Sequence, residues 1–241
     1  VVSRMFSYHS SILMTNDLEK YSYIMSYCYL NKPNKSDMKK INEIIEKLNE
    51  KLETIDLIEG IITKYYAPRD TNNIKEGERC FFTRENAMRI DTLRKYIDEE
   101  DIKYKYYLLS QLLVKASIHN NTGGVFKGFY KNKLTGIGCW GGSGENALTR
   151  IKTNIKLDKI IWNMDNKYIF KGYNQDINIL LEEDTDIYDF DVIYLDPPYN
   201  QHPYGSNYFM LNTIIKNEID TNISKISGIP NNWTRSKYNS K

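Results

Sequence analysis

The chain has 241 residues, enough for one large domain or for a domain with an insertion, and its 33 basic and 31 acidic residues nearly cancel. Total charge therefore gives no argument for a polyanionic partner. The three cysteines, at positions 28, 80 and 139, have no paired spacing, so neither a disulfide framework nor a metal site is indicated. Without a run of about 18 apolar residues or a signal peptide, the composition predicts a cytoplasmic protein with no membrane segment.

The first part of the chain predicts one short strand between helices. Residues 1–10 have the pattern of an amphipathic helix, and residues 12–14 form an apolar strand that ends just before two polar residues and an acid. A second helix is predicted to follow over residues 18–30. Asn16, with Glu19 three residues later, has the spacing of a capping box at the start of that helix.

The middle of the chain predicts long helices and then hairpins. A charged amphipathic helix is predicted over residues 36–59, and two further helices over 83–100 and 104–120. From Asn120 the composition changes to glycine, aromatic residues and lysine, which favours hairpins or an ordered loop. Between residues 121 and 171, nine Lys or Arg stand against three acidic residues. Such a local excess is typical of a nucleic-acid face, or of an ordinary solvated surface.

The most informative stretch is FDVIYLDPPYNQHPYGSNYFMLN, residues 190–212. Its apolar run at 192–195 predicts a buried parallel strand. Because Pro197 and Pro198 cannot donate to a sheet ladder, the strand must stop at Asp196. A carboxylate is thereby expected at the carboxyl edge of an open α/β sheet, which is where such folds hold their ligands.

The chemistry of this motif fits methyl transfer to an exocyclic amino group. Such a nitrogen is a poor nucleophile, because its lone pair is delocalised into the base ring. The Asp196 carboxylate and the Pro197 carbonyl could accept its two hydrogens and stabilise the positive charge that develops during attack. The Tyr199 ring could stack on a base that has been flipped out of the helix. In the structural alternative, the two prolines only end a strand and Tyr199 packs beneath it.

The stretch YLDPPYNQHPYGSNYFMLNTI resembles the fourth motif of the D12 class of adenine-N6 DNA methyltransferases. ILMTNDLEKYSYIM and FKGYNQDINILL resemble the second and third motifs of that class, and NTGGVFKGFYKN with GCWGGSGENALTRI is similar to the insertion used against DNA. The resemblance implies a Rossmann-like class I fold that binds S-adenosylmethionine. It would cover nearly the whole chain.

The resemblance also implies roles for individual residues. Catalysis falls on Asp196, Pro197, Pro198 and Tyr199. Cofactor binding falls on Asp17 with Leu18 at the ribose, Asp176 with Ile177 at the adenine, and again Asp196. DNA contacts fall on Lys127, Tyr130, Lys131 and Lys133, since lysines interleaved with aromatics suit a DNA backbone. Asp17 could also be a helix-capping acid, and Asp176 a turn residue.

One part of the family pattern is missing from this sequence. The first motif, a Phe-x-Gly-x-Gly loop, would end just before Val1, and only 42 residues follow Tyr199. The chain is therefore expected to be a fragment truncated at both ends, a split enzyme or a degenerate copy. If so, a gap one strand wide should separate the strands that end at Asp17 and Asp196.

The sequence thus predicts an α/β methyltransferase core over residues 1–35 and 160–241, with a helical and basic DNA-recognition insertion over 36–159. The expected reaction is site-specific methylation of adenine N6 in double-stranded DNA; whether this stretch is active by itself stays open. The alternatives are cytosine-N4 methylation and a non-catalytic DNA-binding remnant; aspartate rather than serine at 196 favours adenine. A cognate restriction endonuclease is a possible partner in the same system, without a stable complex.

Overall fold

The structure is a computed structural model, and it describes residues 2–142, 147–163, 167–183, 189–198, 203–219 and 222–239. Within these ranges the chain is largely helical, with one small parallel sheet. In chain order the elements are α1 (Val2–Phe6), β1 (Ile12–Asn16), α2 (Lys20–Leu30), α3 (Lys35–Thr54), α4 (Ile61–Tyr66), α5 (Arg84–Glu99), α6 (Ile102–Ile118), α7 (Leu148–Lys152), β2 (Ile169–Tyr173), α8 (Ile177–Glu183), α9 (Tyr204–Asn207) and α10 (Phe209–Lys216), followed by a 3₁₀ turn at Lys237–Asn239.

The long helices form where the apolar periodicity predicts them. The Asn34 side chain accepts a hydrogen bond from the Asp37 amide and starts α3, and the Thr83 side chain caps α5 in the same way. The apolar stripe of α3 is buried; it consists of Ile41, Ile44, Ile45, Leu48 and Leu52. Helix α3 ends at Thr54, five residues earlier than the sequence pattern indicates. Helices α4, α7, α9 and α10 were not predicted, whereas α8 lies where the sequence predicts a helix between the strand at 167–177 and the strand at 192–195.

The core lies in the helical part of the chain. Helices α2 and α5 pack against α6, and α10 packs against both α2 and α6. A cluster of buried aromatic rings joins four parts of the chain. It consists of Tyr66 from α4, Phe81 from the segment before α5, Phe126 from the loop after α6 and Phe209 from α10. The predicted insertion and the segment after residue 203 therefore share one hydrophobic core.

The sheet consists of β1 and β2, which pair in parallel in the register Ile12↔Ile169 to Asn16↔Tyr173. More than 150 residues separate the two strands in sequence, and the predicted insertion lies within this intervening stretch. Because the strands are parallel, their carboxyl ends meet at the same edge. This edge is where the sequence places two of the proposed cofactor ligands.

Residues 192–195 differ from the prediction. They form no strand, and their side chains are 55–70% exposed. A β-strand needs a hydrogen-bonded neighbour, and among the described residues the sheet is formed by β1 and β2 alone. The direct pairing of 12–14 with 192–195 that would contradict the expected gap is not formed in the described part of the chain. The gap itself stays a prediction.

The described residues contain neither a membrane-spanning helix nor a cluster of metal-binding side chains. None of the helices there is long and apolar enough to span a membrane. No group of three or more His, Cys, Asp or Glu side chains in those same ranges is arranged to hold a metal ion.

Candidate functional site

The carboxyl ends of β1 and β2 are tied together by side-chain amides. The Asn16 side chain donates to the Gln175 carbonyl (3.1 Å) and accepts from the Gln175 amide (3.2 Å). From the other strand, Asn174 donates to the carbonyls of Asp17 (2.8 Å) and Leu18 (3.1 Å). These bonds hold the residues after each strand at one edge of the sheet, where sequence reasoning expected them.

Asp17 and Leu18 lie half-buried in the turn that leads into α2. The Asp17 Oδ1 atom accepts a hydrogen bond from the Glu19 amide at 2.8 Å. The helix begins with Glu19 as its N-cap residue and no side-chain cap bond. The predicted capping box is therefore wrong, because Asn16 bonds instead to Gln175 across the sheet. Asp17 takes part in ordering the turn, which is compatible with a ligand-binding role.

Asp176 lies three residues after the end of β2, and Ile177 begins α8. Its Oδ1 atom accepts from the Asn178 amide (2.9 Å) and from the Asn178 side chain (2.7 Å). These hydrogen bonds, with the nearby Lys237 ammonium at 3.7 Å from Oδ2, hold the pKa of the Asp176 carboxyl below its usual value. Asp176 is therefore an ionised acceptor at neutral pH.

A third carboxylate, Glu19, lies next to this edge and was missed as a site residue by sequence reasoning. It is buried, and its Oε2 atom accepts from the Asn212 side chain at 2.7 Å. The side-chain oxygen of Asn212, Oδ1, accepts in turn from the Tyr21 backbone amide at 3.3 Å. Burial raises the pKa of Glu19, and the bond from Asn212 and the nearby Lys216 partly offset this rise. The pair joins the β1 turn to α10, although 193 residues separate its members.

The residues of the Asp-Pro-Pro-Tyr motif are only partly described. Asp196 and Pro197 are exposed and Pro198 is half-buried. Tyr199 lies outside the described residues. The segment that follows it forms α9 and α10, and α10 carries the Asn212 contact to Glu19. The chain after the motif therefore returns to the edge of the sheet that holds Asp17.

The predicted DNA-binding residues lie on a hairpin. Lys131 and Gly138 form an antiparallel bridge, and the Asn132 amide donates to the Ile137 carbonyl at 2.8 Å. Three lysines, at 127, 131 and 133, are exposed, while the Tyr130 ring between them is half-buried. The predicted hairpin is confirmed. We call residues 127–139 the basic hairpin.

The basic hairpin is connected to the chain that follows the motif. The Phe126 amide donates to the Asn207 carbonyl in α9 at 2.7 Å. At the other end, the Asn121 side-chain amide donates to the Cys80 carbonyl (2.9 Å) and the Cys139 carbonyl (2.8 Å). The Trp140 ring nitrogen donates to the Thr71 carbonyl at 2.7 Å. The exposed lysines are thus presented from a fixed base close to α9.

The proteins related to this chain include three type II methyltransferases. The chain is 30% identical over its full length to the type II methyltransferase M.NlaIII of Neisseria lactamica, of which it covers 64%. It is 33% identical to M.CviAII of Paramecium bursaria Chlorella virus 1 and 34% identical to M.FokI of Planomicrobium okeanokoites, over 84% of the chain in both cases. It covers 53% and 29% of those two proteins. The chain therefore spans less than two thirds of the length of these relatives. No solved structure matches it significantly.

The family comparison covers almost the entire chain. The sequence model of the D12 class of N6 adenine-specific DNA methyltransferases matches residues 1–237. This range includes both strand ends, the basic hairpin and the Asp-Pro-Pro-Tyr motif. The match agrees with the motifs found in the sequence and with the parallel pairing of β1 and β2. The chain belongs to the D12 class of N6 adenine-specific DNA methyltransferases.

Proposed function

We propose that this chain is the catalytic and DNA-recognition part of an enzyme that methylates adenine N6 at specific sites in duplex DNA. The observation that carries the proposal is the placement of Asp17 and Asp176 at adjacent carboxyl ends of a parallel sheet. The family match and the Asp-Pro-Pro-Tyr motif supply the reaction. The proposed fold is a Rossmann-like class I methyltransferase sheet, in which 192–195 would form a further strand.

The residues at the sheet edge fit S-adenosylmethionine. Ribose hydroxyls and the adenine amino group are hydrogen-bond donors, and ionised carboxylates are acceptors only. Asp17 would hold the ribose and Asp176 the adenine amino group, with Leu18 and Ile177 as apolar neighbours. Both carboxylates follow neighbouring parallel strands, which lie about 4.8 Å apart, and this supports binding of one small molecule by both. When bound, the cofactor supplies an activated methyl group.

The motif would prepare the target nitrogen. The Asp196 carboxylate and the Pro197 carbonyl accept the two amino hydrogens, which draws the nitrogen toward tetrahedral geometry and stabilises its developing positive charge. Pro198 fixes the direction of the backbone, and Tyr199 stacks on the extruded adenine. For these roles, Asp196 must lie next to the edge that holds Asp17. The return of α10 to that edge supports this placement.

The basic hairpin would contact the DNA backbone. Its lysines are exposed, and lysine contacts to phosphates position a protein on a duplex without reading sequence. The hydrogen bond from Phe126 to α9 supports a location beside the motif, because α9 begins six residues after Pro198. In this arrangement, the insertion of 36–159 recognises DNA and the remaining chain carries out the chemistry. A restriction endonuclease of the same sequence specificity would be the biological partner, without a stable complex.

The decisive experiment is to express the full-length gene with a plasmid and to identify the modified bases by mass spectrometry. N6-methyladenine is expected; N4-methylcytosine would support the alternative chemistry. Replacing Asp196 with Ala should lower turnover by about 10²–10³-fold and leave DNA affinity nearly unchanged. Asp191→Ala, which removes an exposed carboxylate five residues earlier, is the matched control and should retain activity. Methylation by Asp196→Ala within a few-fold of wild type would overturn the assignment. DNA binding without any binding of S-adenosylmethionine would identify a non-catalytic remnant.

A further inference from the structure

A cavity of 380 Å³ lies beside α10, on the side where the last part of the chain packs. One wall is formed by Gly205, Asn212 and Lys216, and the opposite wall by Asn232 and Trp233. Sequence reasoning assigned none of these residues to a function. The volume falls at the lower end of the range typical of small-ligand sites, about 300–1,000 Å³.

The walls of the cavity are held in place by close packing. A Cβ atom on Gly205 would lie 2.2 Å from the Thr234 carbonyl oxygen, so only glycine allows the last part of the chain to approach α9 so closely. A turn of chain from residue 222 to 231 precedes that wall and is closed by a bridge between Ile223 and Pro230. Arg79, from the insertion, donates to three carbonyls of this turn, at residues 224–226. The cavity is therefore preformed.

The lining has the chemistry of a nucleotide site. The Trp233 ring is half-buried, and the Arg235 guanidinium lies 4.4 Å from the ring centre. Lys216 is exposed and is one of the residues that line the cavity, so the cavity wall carries a cation. An aromatic ring flanked by cations is the arrangement that proteins use to stack a base and hold its phosphate.

The surrounding charge favours a polyanion over the cofactor. Residues 222–239 contain three Lys or Arg and no acid, and Glu218 is the acidic residue on the rim. S-adenosylmethionine has no phosphate and carries a net positive charge through its sulfonium and ammonium groups. Among the lining residues Lys216 and Glu218 balance each other, and the cationic stretch of residues 222–239 beside the cavity disfavours the cofactor. A base paired inside a duplex offers no open face to a ring, so a base that stacks here must be unpaired.

We propose that this cavity binds an unpaired nucleotide of the DNA, with its base on Trp233 and its phosphate at Lys216, while Arg235, outside the lining, lies over the Trp233 ring. The inference rests on the proposed function, because it assumes that the duplex is opened at the target. The nucleotide is a second one, distinct from the adenine held by Asp196. Either the partner base left behind by flipping or a flanking nucleotide has the required chemistry.

The test uses the full-length protein and duplexes with one 2-aminopurine, placed opposite the target adenine or at a flanking position. We expect the fluorescence of the probe at one of these positions to be quenched on binding, and the quenching to be lost in Trp233→Ala. Trp233→Ala should weaken binding of the duplex about 5- to 150-fold, whereas Trp233→Phe should restore most of it. Lys216→Ala should weaken binding as well. Lys225→Ala, which removes the same charge from the same part of the chain outside the cavity lining, is the matched control.

The outcomes separate this inference from the proposed function. Unchanged DNA affinity and unchanged probe fluorescence in both Trp233→Ala and Lys216→Ala would overturn the inference, whether or not the enzyme methylates DNA. A loss of S-adenosylhomocysteine binding in these variants, with DNA affinity retained, would show that the cavity holds the cofactor and would also overturn it. If the wild-type protein lacks methylation activity but its DNA binding depends on Trp233 and Lys216, the proposed function fails and the nucleotide site stands.

Discussion

Replacing the Asn121 side chain gives the most direct test of how the basic hairpin is anchored to the rest of the protein. It is fully buried; its amide donates to the carbonyls of Cys80 and Cys139 and contacts the Cys80 Sγ atom at 3.4 Å, and its oxygen accepts from the Gly141 amide at 2.9 Å. Each such bond contributes about 0.5–1.5 kcal/mol, and a buried partner left unpaired costs about 1–3 kcal/mol. Asn121→Ala should therefore lower the free energy of unfolding by about 2–5 kcal/mol.

The matched control is Asn132→Ala at the exposed tip of the same hairpin. Its side chain accepts from the amides of Leu134 and Thr135, which water can satisfy when the amide is removed. The loss of stability should be within about 0.5–1 kcal/mol. Asn121→Asp keeps the acceptor for Gly141 but faces two carbonyl oxygens with a carboxylate, so it should be at least as destabilising as the alanine variant.

Two measurements test this reasoning. Urea denaturation gives the change in stability, and DNA affinity measured over a series of salt concentrations reports on the phosphate contacts. At a temperature where all variants remain folded, Asn121→Ala should show a shallower salt dependence, because the lysines are no longer presented from a fixed base. Wild-type stability together with a wild-type salt slope would refute the role of Asn121 in holding the hairpin.

Three further predictions concern other parts of the site. Replacing Lys127, Lys131 and Lys133 together with Ala should weaken binding to all DNA sequences and reduce the salt slope by up to about one per lost phosphate contact; an unchanged slope would place DNA binding elsewhere. Burial raises the pKa of Glu19 above 4.5, so the folded state binds the Glu19 proton more tightly than the unfolded chain does. The resulting stability is present below pH 4.5 and is lost as the pH rises through the pKa of Glu19 in the folded state. Glu19→Gln should flatten the dependence of stability on pH in that window, which thermal unfolding across a pH series would detect. Asp91 accepts from three backbone amides and one hydroxyl at the start of α4, so Asp91→Ala should destabilise the protein by about 3–5 kcal/mol in urea denaturation; a loss below 1 kcal/mol would contradict this account.

The sequence by itself determined the local elements and the chemistry of the motifs. The apolar spacing in α3 requires a buried stripe, and Asp17 can be identified because it directly follows the short apolar strand β1, whereas Asp176 was identified from the family resemblance of its motif. The Asp-Pro-Pro-Tyr run indicates its reaction because few other reactions need an acceptor, a proline carbonyl and a ring in that order. These features depend on residues close together in the chain.

Only the tertiary structure decided which distant groups meet. The contact between Glu19 and Asn212 and the anchoring of residues 224–226 by Arg79 join residues more than 140 positions apart, and the cavity at Trp233 forms where the last part of the chain meets α9 and α10. No periodicity encodes such pairs, because they depend on how α10 and the last part of the chain pack on the insertion. Residues 192–195 show that local sequence alone does not decide secondary structure either. Its apolar composition predicts a strand, but a strand also requires a neighbour to accept its hydrogen bonds, and composition cannot supply one.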